Sequence, residues 1–317
     1  MSREFGAETS AEEVVRDLDL SGQTIVVTGG SAGLGVETAR VLAGRGARIV
    51  SVVRDEAKGR AAIDRIRESV PEADIELALL DLSDLDSVRR GADDIARRFA
   101  RIDRLINNAG VMACPLGRTA QGLDTQLGTN HLGHFVLTAR LMPQILAGSP
   151  ARIVNLSSAG HRLSPFRFED PFFEKEPYDK WLAYGQAKTA NVLFSVALDK
   201  RFRDRGVRAF AVHPGSIMTE LSRHMDENDM KDLMARRPKN EPMTFKKVPQ
   251  GAATTVWAAT APELEGRGGL YCEDCHVAER TDDALAARGV RPWALDEEAA
   301  ERLWQLSEEW SGETFPA

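Results

Sequence analysis

The sequence predicts an α/β protein built on a doubly wound parallel sheet with helices on both faces. Strand-length β-branched runs alternate with helix-length segments along most of the 317 residues, which is typical of parallel strands joined by helical crossovers. The first strand also ends in a glycine-rich turn that leads into a helix. No linker rich in Pro, Gly or Ser divides the chain, so we expect a single large domain.

The predicted strands are short apolar runs bounded by glycine or charged residues. The first, "QTIVVTGG", is β-branched and ends in glycine, as expected of a strand buried on both faces. "ARIVSVVR" and "ARIVNLSSAG" have the same character. In chain order, the predicted strands are 23–30, 47–54, 75–82, 102–110, 151–160, 207–215 and 268–274.

The segments between the strands have helical patterns. "GVETARVLAGRG" spaces its apolar residues at helical intervals and stops at glycine, and "DEAKGRAAIDRIRESV" is amphipathic. A short capped helix is predicted at 10–17, and an amphipathic one at 296–312 that packs on the body or on a partner chain. The main helices are predicted at 35–46, 55–70, 85–100, 127–146 and 184–206.

Composition limits the partners. Apolar residues make up 43% of the chain and charged residues 28%, as in ordinary globular proteins. The net charge of −7 and the lack of a basic stripe argue against nucleic acid. The longest apolar runs are too short to span a membrane, and the acidic N-terminus does not resemble a secretory signal. We therefore expect a cytoplasmic protein without a membrane anchor.

The three cysteines do not form a disulfide framework. "CEDCH" at 272–276 matches the C-x-x-C-H spacing of haem attachment, but that chemistry belongs mostly to exported proteins. A zinc site needs four ligands, and no second pair accompanies Cys272 and Cys275. We interpret the segment as a strand end and turn, and we expect no metal.

The glycine turn "TGGSAGLG" at 28–35 predicts a dinucleotide site. Glycines permit a tight turn and let phosphates approach the backbone, and the N-terminus of the following helix offers free N–H groups to a pyrophosphate. The strand–glycine–helix context supports this interpretation. Within the turn, we expect contacts to the cofactor from Gly29, Ser31, Gly33, Leu34 and Gly35.

The end of the second strand indicates which dinucleotide binds. An acidic residue there would accept hydrogen bonds from a ribose 2′-hydroxyl, whereas this chain has Arg54, which can form a fork onto a 2′-phosphate. Lys58 could add a second cation, and Asp55 could oppose both. NADP(H) is therefore favoured, with NAD(H) as the alternative; Arg54 as a plain surface arginine also stays open.

Five segments in one order resemble the short-chain dehydrogenase/reductase family: "TGGSAGLG", "DL" at 81–82, "NNAG" at 107–110, "NLSS" with "YGQAK", and "HPGSIMTE" at 213–220. The resemblance spans about residues 20–275. "TNHLGHF" and "AYGQAKTANVLFSVALDKRF" look like the retinol dehydrogenase and WW-domain oxidoreductase branch. The family has a single Rossmann-fold domain with a seven-stranded parallel sheet.

The resemblance also implies a site. Asp81 and Leu82 would lie at the adenine, residues 108–110 at the nicotinamide-side ribose, and the 214–219 loop at the nicotinamide. Ala32 departs from the family, since many NADP-preferring members have a basic residue there. The implied catalytic residues are Asn130, which holds a water near the lysine, Ser158, Tyr184 and Lys188. The further implied cofactor contacts are Asp81, Leu82, Asn108, Ala109, Gly110, Tyr184, Lys188, Pro214, Gly215, Ile217 and Thr219.

Tyr184 and Lys188 lie four residues apart on one helix face. Such pairs are common on exposed helices, so the spacing alone decides nothing. A cation roughly 6 Å from a phenolate at an effective dielectric near 20 contributes about 2–3 kcal/mol, or about two pKa units downward. The phenol would then serve as acid in reduction and base in oxidation. Ser158 would donate to the substrate oxygen.

Two segments are candidates for the substrate cover. The stretch 159–183 is long and aromatic, and we interpret it as a wall for a bulky apolar substrate; a loop packed on its own aromatics or on a neighbouring subunit is the alternative. Its aromatic residues are Phe166, Phe168, Phe172, Phe173, Tyr178 and Trp181. The segment 221–250 contributes methionines suited to an adaptable apolar cover or to a helix core: Met225, Met230, Met234 and Met243.

These observations predict an NADP(H)-linked oxidoreductase that interconverts a bulky apolar ketone or aldehyde and its alcohol. The alternatives are a carbon–carbon double-bond reductase of the same family and a catalytically silent dinucleotide-binding regulatory protein. The family resemblance implies a homodimer or homotetramer. We expect an N-terminal extension over 1–20, the dehydrogenase domain over 21–295 with covering segments near 160–183 and 216–250, and a C-terminal helix and tail over 296–317.

Overall fold

A computed structural model describes residues 4–219, 221–222, 225–236, 244–284 and 286–316. Eight strands of these residues form one sheet in the order β3-β2-β1-β4-β5-β6-β7-β8. Strands β1 to β7 pair in parallel, as predicted, and β8 is antiparallel to β7. The strands are β1 (Thr24–Thr28), β2 (Arg48–Val53), β3 (Ile75–Leu79), β4 (Arg104–Asn107), β5 (Ala151–Leu156), β6 (Val207–His213), β7 (Leu270–Glu273) and β8 (His276–Val277).

Helices cover both faces of this sheet. They are α1 (Ala11–Val15), α2 (Gly33–Ala43), α3 (Glu56–Ser69), α4 (Leu85–Arg98), α5 (Thr125–Leu127), α6 (Gly133–Ala147), α7 (Lys180–Phe202), α8 (Glu227–Ala235), α9 (Val248–Thr260) and α10 (Glu297–Ser311). In the described ranges, no helix combines the length and the apolar character that a membrane span requires.

Alternation along each strand divides the core between the two faces. In β1, Ile25 and Val27 belong to the cluster shared with α1, α2, α3 and α9, whereas Val26 belongs to the cluster shared with α4, α6, α7 and α10. All five residues of β1 are buried, which explains the continuous apolar run in the sequence. The terminal helices α1 and α10 both contribute to these cores.

The predicted seventh strand continues into a hairpin that the sequence analysis missed. Glu273 pairs with His276 across a two-residue turn, and both turn residues, Asp274 (φ 47°) and Cys275 (φ 58°), are left-handed, as such turns require. Burial raises the pKa of the Cys275 thiol to about 11 and that of Cys272 further. The described residues contain no cluster of metal-ligating side chains.

The single helix predicted over 127–146 is interrupted. Between α5 and α6, residues 128–132 form a π-helical turn, a feature common at functional sites. This wider turn contains Asn130, whose side chain donates to the carbonyl of Val111 (2.9 Å) and accepts from its N–H (2.8 Å). The prediction was wrong here because the irregularity is stabilised by a tertiary contact and not by local periodicity.

Candidate active site

A cavity of about 540 Å³ opens at the carboxyl ends of the parallel strands, where open α/β sheets bind ligands. Most of the predicted site residues line it; Gly35 and Asn130 lie behind its wall. The predicted residues in the lining are Gly29, Ser31, Gly33, Leu34, Arg54, Lys58, Asp81, Leu82, Asn108, Ala109, Gly110, Ser158, Tyr184, Lys188, Pro214, Gly215, Ile217 and Thr219.

The glycine turn is shaped to admit a pyrophosphate. Gly29 (φ +75°) and Gly33 (φ +55°) are left-handed, and a Cβ added to Gly35 would lie 2.2 Å from the Gly29 carbonyl oxygen. Helix α2 begins directly after Ala32, which provides no side-chain cap. The first N–H groups of α2 are therefore left for a ligand, and the turn fits a dinucleotide.

Thr28 joins the ends of β1 and β4. Its hydroxyl accepts hydrogen bonds from the N–H groups of Asn108 and Ala109, both at 2.9 Å. Its own hydrogen is then free to donate to Nε2 of His134 at 2.9 Å, so that Nδ1–H of His134 donates to the Asn130 carbonyl at 3.0 Å. Burial lowers the pKa of His134 to about 4, which keeps the ring neutral. Neither Thr28 nor His134 was predicted from the sequence as a site residue.

Tyr184 and Lys188 of α7 are both buried, each with 4% exposure. The ammonium of Lys188 lies 5.7 Å from the centre of the Tyr184 ring and donates to the Leu156 carbonyl at 2.9 Å. A Cβ on Gly110 would lie 3.6 Å from this ammonium and 2.9 Å from Oδ1 of Asn130. Asn130 and Lys188 therefore flank the same short stretch of the β4 exit loop.

The predicted lowering of the Tyr184 pKa is wrong for this structure. Burial of the phenol raises its pKa to about 12, although a hydrogen bond with Ser158 acts in the opposite direction. Burial also lowers the pKa of Lys188 to about 8. The prediction failed because it counted the attraction between the two charges and omitted the cost of removing each from water.

Ser158 is held by the 3₁₀ turn that follows it, Ala159–Leu163. Its hydroxyl accepts from the N–H of Gly160 at 3.0 Å. Gly160 has to lack a side chain, since a Cβ would lie 2.6 Å from the Tyr184 ring. His161 donates from Nδ1 to the Ser158 carbonyl at 2.7 Å and accepts at Nε2 from the Arg291 N–H at 3.1 Å. The sequence signal that could have identified Gly160 and His161 is "AGH", directly after Ser158.

Cations lie at the other end of the cavity. Arg54 is 70% exposed and 3.8 Å from Asp81. Asp55 caps α3 by accepting from the Lys58 N–H at 3.0 Å, so its carboxylate is bonded to the helix start. Arg65, which the sequence analysis missed, donates to the Ser31 carbonyl at 3.4 Å. The glycine turn is therefore bordered by positive side chains.

The aromatic loop does not form the predicted wall. Phe166 and Phe172 contact Trp310 of α10, with ring centres 6.4 and 4.9 Å apart, and Phe173 contacts Tyr178 at 5.1 Å. Of the six aromatic residues, Trp181 is the one in the cavity lining. The loop packs on its own aromatics, as the alternative interpretation predicted, and also on the C-terminal helix, which was not predicted.

The methionine segment contributes in part. Met225 and Met230 line the cavity, whereas Met234 is 42% exposed and outside the lining. Met243 lies outside the described residues. Helix α8 buries none of its residues, and ion pairs bind it to the start of α7, Lys180 to Asp229 (2.6 Å) and Arg236 to Asp179 (2.8 Å).

Comparison with known proteins agrees with this geometry. Residues 23–230 match the family model described as short chain dehydrogenase. The chain belongs to this family. Human Retinol dehydrogenase 12 is 40% identical over 291 residues, covering 92% of this chain and 87% of its own length. The short-chain dehydrogenase/reductase prx1 of Penicillium rubens is 37% identical over 310 residues, 95% of this chain and 89% of that protein. The protein is thus an oxidoreductase of the retinol dehydrogenase-like branch.

Solved structures show the same fold. A crystal structure of an uncharacterized protein from Mycobacterium paratuberculosis superposes with a TM-score of 0.73 at 35% identity, covering 96% of this chain and 98% of that one. A short chain dehydrogenase from Burkholderia cenocepacia in complex with NADP has a TM-score of 0.63 at 24% identity, covering 81% and 97%.

Proposed function

We propose that this protein is an NADP(H)-dependent oxidoreductase that interconverts a bulky apolar ketone or aldehyde and the corresponding alcohol. One observation carries the proposal. The buried phenol of Tyr184 lies beside Ser158 and Lys188 in a cavity that continues to the glycine turn. A proton donor and a dinucleotide cradle in one cavity are what carbonyl reduction needs.

The side chains have separate tasks in this reaction. A bound dinucleotide would supply or accept the hydride. Tyr184 gives its proton to the substrate oxygen, and the Ser158 hydroxyl donates a hydrogen bond to the same oxygen. The ammonium of Lys188 stabilises the phenolate that remains. A phenol with a pKa of about 12 is neutral near pH 7, so Tyr184 carries the proton that reduction requires. Asn130 and His134 fix the loop behind the lysine.

The preference for NADP(H) is supported by charge. Arg54, Lys58 and Arg65 border the glycine turn. Of the two carboxylates nearby, Asp55 is bonded to the start of α3, and Asp81 lies 3.8 Å from Arg54, near the longest distance of an ion pair. Arginine suits a phosphate because its guanidinium donates two parallel hydrogen bonds. The neighbour from Burkholderia cenocepacia was solved with NADP.

The preference for a bulky apolar substrate is supported by the other end of the cavity. Its lining there is dominated by large apolar side chains, which would exclude water around the reacting carbonyl. They include Trp181, Met218, Leu221, Met225, Met230 and Leu233.

A screen of carbonyls and alcohols with NADPH and NADH in parallel tests the proposal. We expect NADPH-dependent turnover of bulky apolar ketones or aldehydes, slower turnover of small polar ones, and alcohol as the product. Equal rates with both dinucleotides would contradict the cofactor preference. A product in which a carbon–carbon double bond has been saturated would show that the protein is a double-bond reductase and not a carbonyl reductase. The absence of turnover with every compound, despite dinucleotide binding, would favour a silent binding protein.

A further inference from the structure

Arg162 is a charged residue in the substrate end of the cavity that the proton-transfer site does not use. It is the fourth residue after Ser158 and belongs to the 3₁₀ turn that Ser158 caps. It lines the same cavity as Ser158 and Tyr184. Its backbone position is therefore tied to the reacting groups by a short, hydrogen-bonded turn.

The hydrogen-bonding capacity of Arg162 is largely unused. Nη1 donates to the Ala286 carbonyl at 3.0 Å, while Nε is buried and has no partner among the described residues. Within those residues the guanidinium forms no ion pair. The other arginine at this end of the cavity, Arg236, is bound to Asp179 and Asp232. A buried donor without an acceptor is costly, so an acceptor supplied by a ligand would be favoured.

Charged and titratable groups of both signs surround Arg162. The buried carboxyl of Glu273 accepts from the Gly289 N–H at 2.7 Å; burial raises its pKa, and the charge of Arg162 acts in the opposite direction. Arg291 adds a second positive charge close enough that Arg162 helps to lower its pKa. His213, which also lines the cavity, is neutral, because burial holds its pKa far below the usual value. Asp282 and Asp283 act on Arg291 and Asp274 acts on His213, and none of these carboxylates forms an ion pair with Arg162 within the described residues.

A second residue of the cavity lining has an unused donor. The indole N–H of Trp181 has no partner in the described chain, although the residue is only 1% exposed. Around these two donors the lining is apolar, with Met218, Met225 and Leu233 among its members. Two unpaired donors, one of them cationic, in an apolar cavity fit a ligand with one anionic group on an apolar body.

We propose that Arg162 binds a carboxylate of the substrate, so that the preferred substrates are apolar oxo acids and the matching hydroxy acids. This inference rests on the proposed function, because it names the substrate class of the same site. The indole of Trp181 gives the carboxylate or a nearby oxygen a further hydrogen bond. Arg162 is thus a specificity-determining residue, and Tyr184 performs the same proton transfer for every substrate.

Matched pairs of acid and ester test this directly. The substrates are oxodecanoates that differ in carbonyl position and their methyl esters, measured with NADPH on the purified full-length protein. For the best-placed carbonyl we expect the KM of the acid to lie roughly 10- to 100-fold below that of its ester, as a charge-assisted hydrogen bond implies. Equal KM values for acid and ester across the set would overturn the inference.

Variants assign the preference to one side chain. In Arg162→Gln, the KM of the acid should rise to that of the ester while the kinetics of the ester stay within about twofold. Arg162→Lys should keep part of the preference because it keeps the charge. Arg236→Gln removes a paired cation from the same cavity and should affect acid and ester alike. An acid preference that survives in Arg162→Gln would contradict the assignment.

Ligand binding separates this inference from the proposed function. Decanoate and methyl decanoate contain no ketone or aldehyde group, and their dissociation constants can be measured by calorimetry without turnover. Tighter binding of decanoate, lost in Arg162→Gln, supports the carboxylate site even if no oxodecanoate is reduced. Turnover of the esters without any preference for acids leaves the proposed function standing and contradicts the inference. Ester kinetics and thermal unfolding report whether each variant is folded.

Discussion

The two ends of the cavity are held together by different forces. At the cofactor end, the hydroxyl and carbonyl of Thr28 bind the β4 exit loop, and Thr28 is fully buried. At the substrate end, α8 buries none of its residues, and two ion pairs connect it to the start of α7. The cofactor end is therefore part of the sheet, whereas the substrate end includes a surface helix that ion pairs attach to the body.

This difference has an energetic consequence. Leaving a buried donor without its acceptor costs about 1–3 kcal/mol, whereas a partly exposed ion pair contributes about 0–1 kcal/mol and weakens in salt. We therefore expect a rigid cofactor end, in which one substitution has a large effect, and a substrate end that opens at little cost.

The largest effect is expected at the glycine turn. In Gly35→Ala the new Cβ would meet the Gly29 carbonyl oxygen at 2.2 Å, so the turn has to move. We expect NADPH affinity to fall at least about 1,000-fold, close to 4 kcal/mol. Fluorescence titration of NADPH measures this. Gly6→Ala is the control, since nothing lies within 4 Å of a Cβ there. Unchanged affinity in Gly35→Ala would contradict the rigid turn.

A pH effect is expected from Lys188. Its folded-state pKa of about 8 lies below the usual 10.5. Between these values the unfolded chain binds the proton and the folded chain does not, so stability rises with pH. Relative to Lys188→Met, the wild-type protein should gain about 3 kcal/mol of unfolding free energy between neutral pH and pH 10.5. Urea unfolding at both pH values measures the gap, and a constant gap would mean that the lysine has an ordinary pKa.

A smaller loss of stability is expected where Thr28 joins the ends of β1 and β4. Thr28→Val removes the oxygen that accepts from Asn108 and Ala109. The free energy of unfolding should fall by about 2 kcal/mol. Thr38→Val is the matched control, because Thr38 is equally buried and its hydroxyl has no partner in the described chain. Equal losses for both variants in urea titrations would show that the hydrogen bonds of the Thr28 hydroxyl do not stabilise the fold.

The smallest effect is expected at α8. Asp229→Asn removes the ion pair with Lys180 and should raise KM about threefold, without changing kcat, because the pair contributes less than about 1 kcal/mol. High salt should produce the same rise in the wild-type protein and little further rise in the variant. Glu56→Gln, in the exposed pair with Arg60, is the control. A kcat that falls instead would place α8 in the chemical step.

Sequence patterns predicted the sheet well and the side-chain environment less well. The buried strands were visible because β-branched runs and glycine stops are local signals. The π turn at 128–132 was missed because it is held by a hydrogen bond between Asn130 and Val111, which are distant in sequence. The β7–β8 hairpin was missed because its turn uses Asp274 and Cys275 where glycine is usual.

Within the site, residue identities were easier to predict than energies. The predicted positions of Tyr184 and Lys188 meet in one cavity, but the pKa of Tyr184 shifts upward because desolvation depends on burial, which spacing does not reveal. Arg65 and His161 were missed for a related reason. Their partners, the Ser31 carbonyl and the Ser158 and Arg291 backbone, come together only in the folded chain.

The central claim is that the phenol of Tyr184 transfers the proton in this cavity. The most direct measurement compares the steady-state turnover of Tyr184→Phe with that of Tyr178→Phe. Tyr178 lies in the aromatic loop, and its hydroxyl donates to the Cys114 carbonyl. We predict that Tyr184→Phe loses at least about 1,000-fold in kcat with unchanged NADPH affinity, while Tyr178→Phe keeps its turnover. Comparable kcat values for the wild-type protein and Tyr184→Phe would contradict the account.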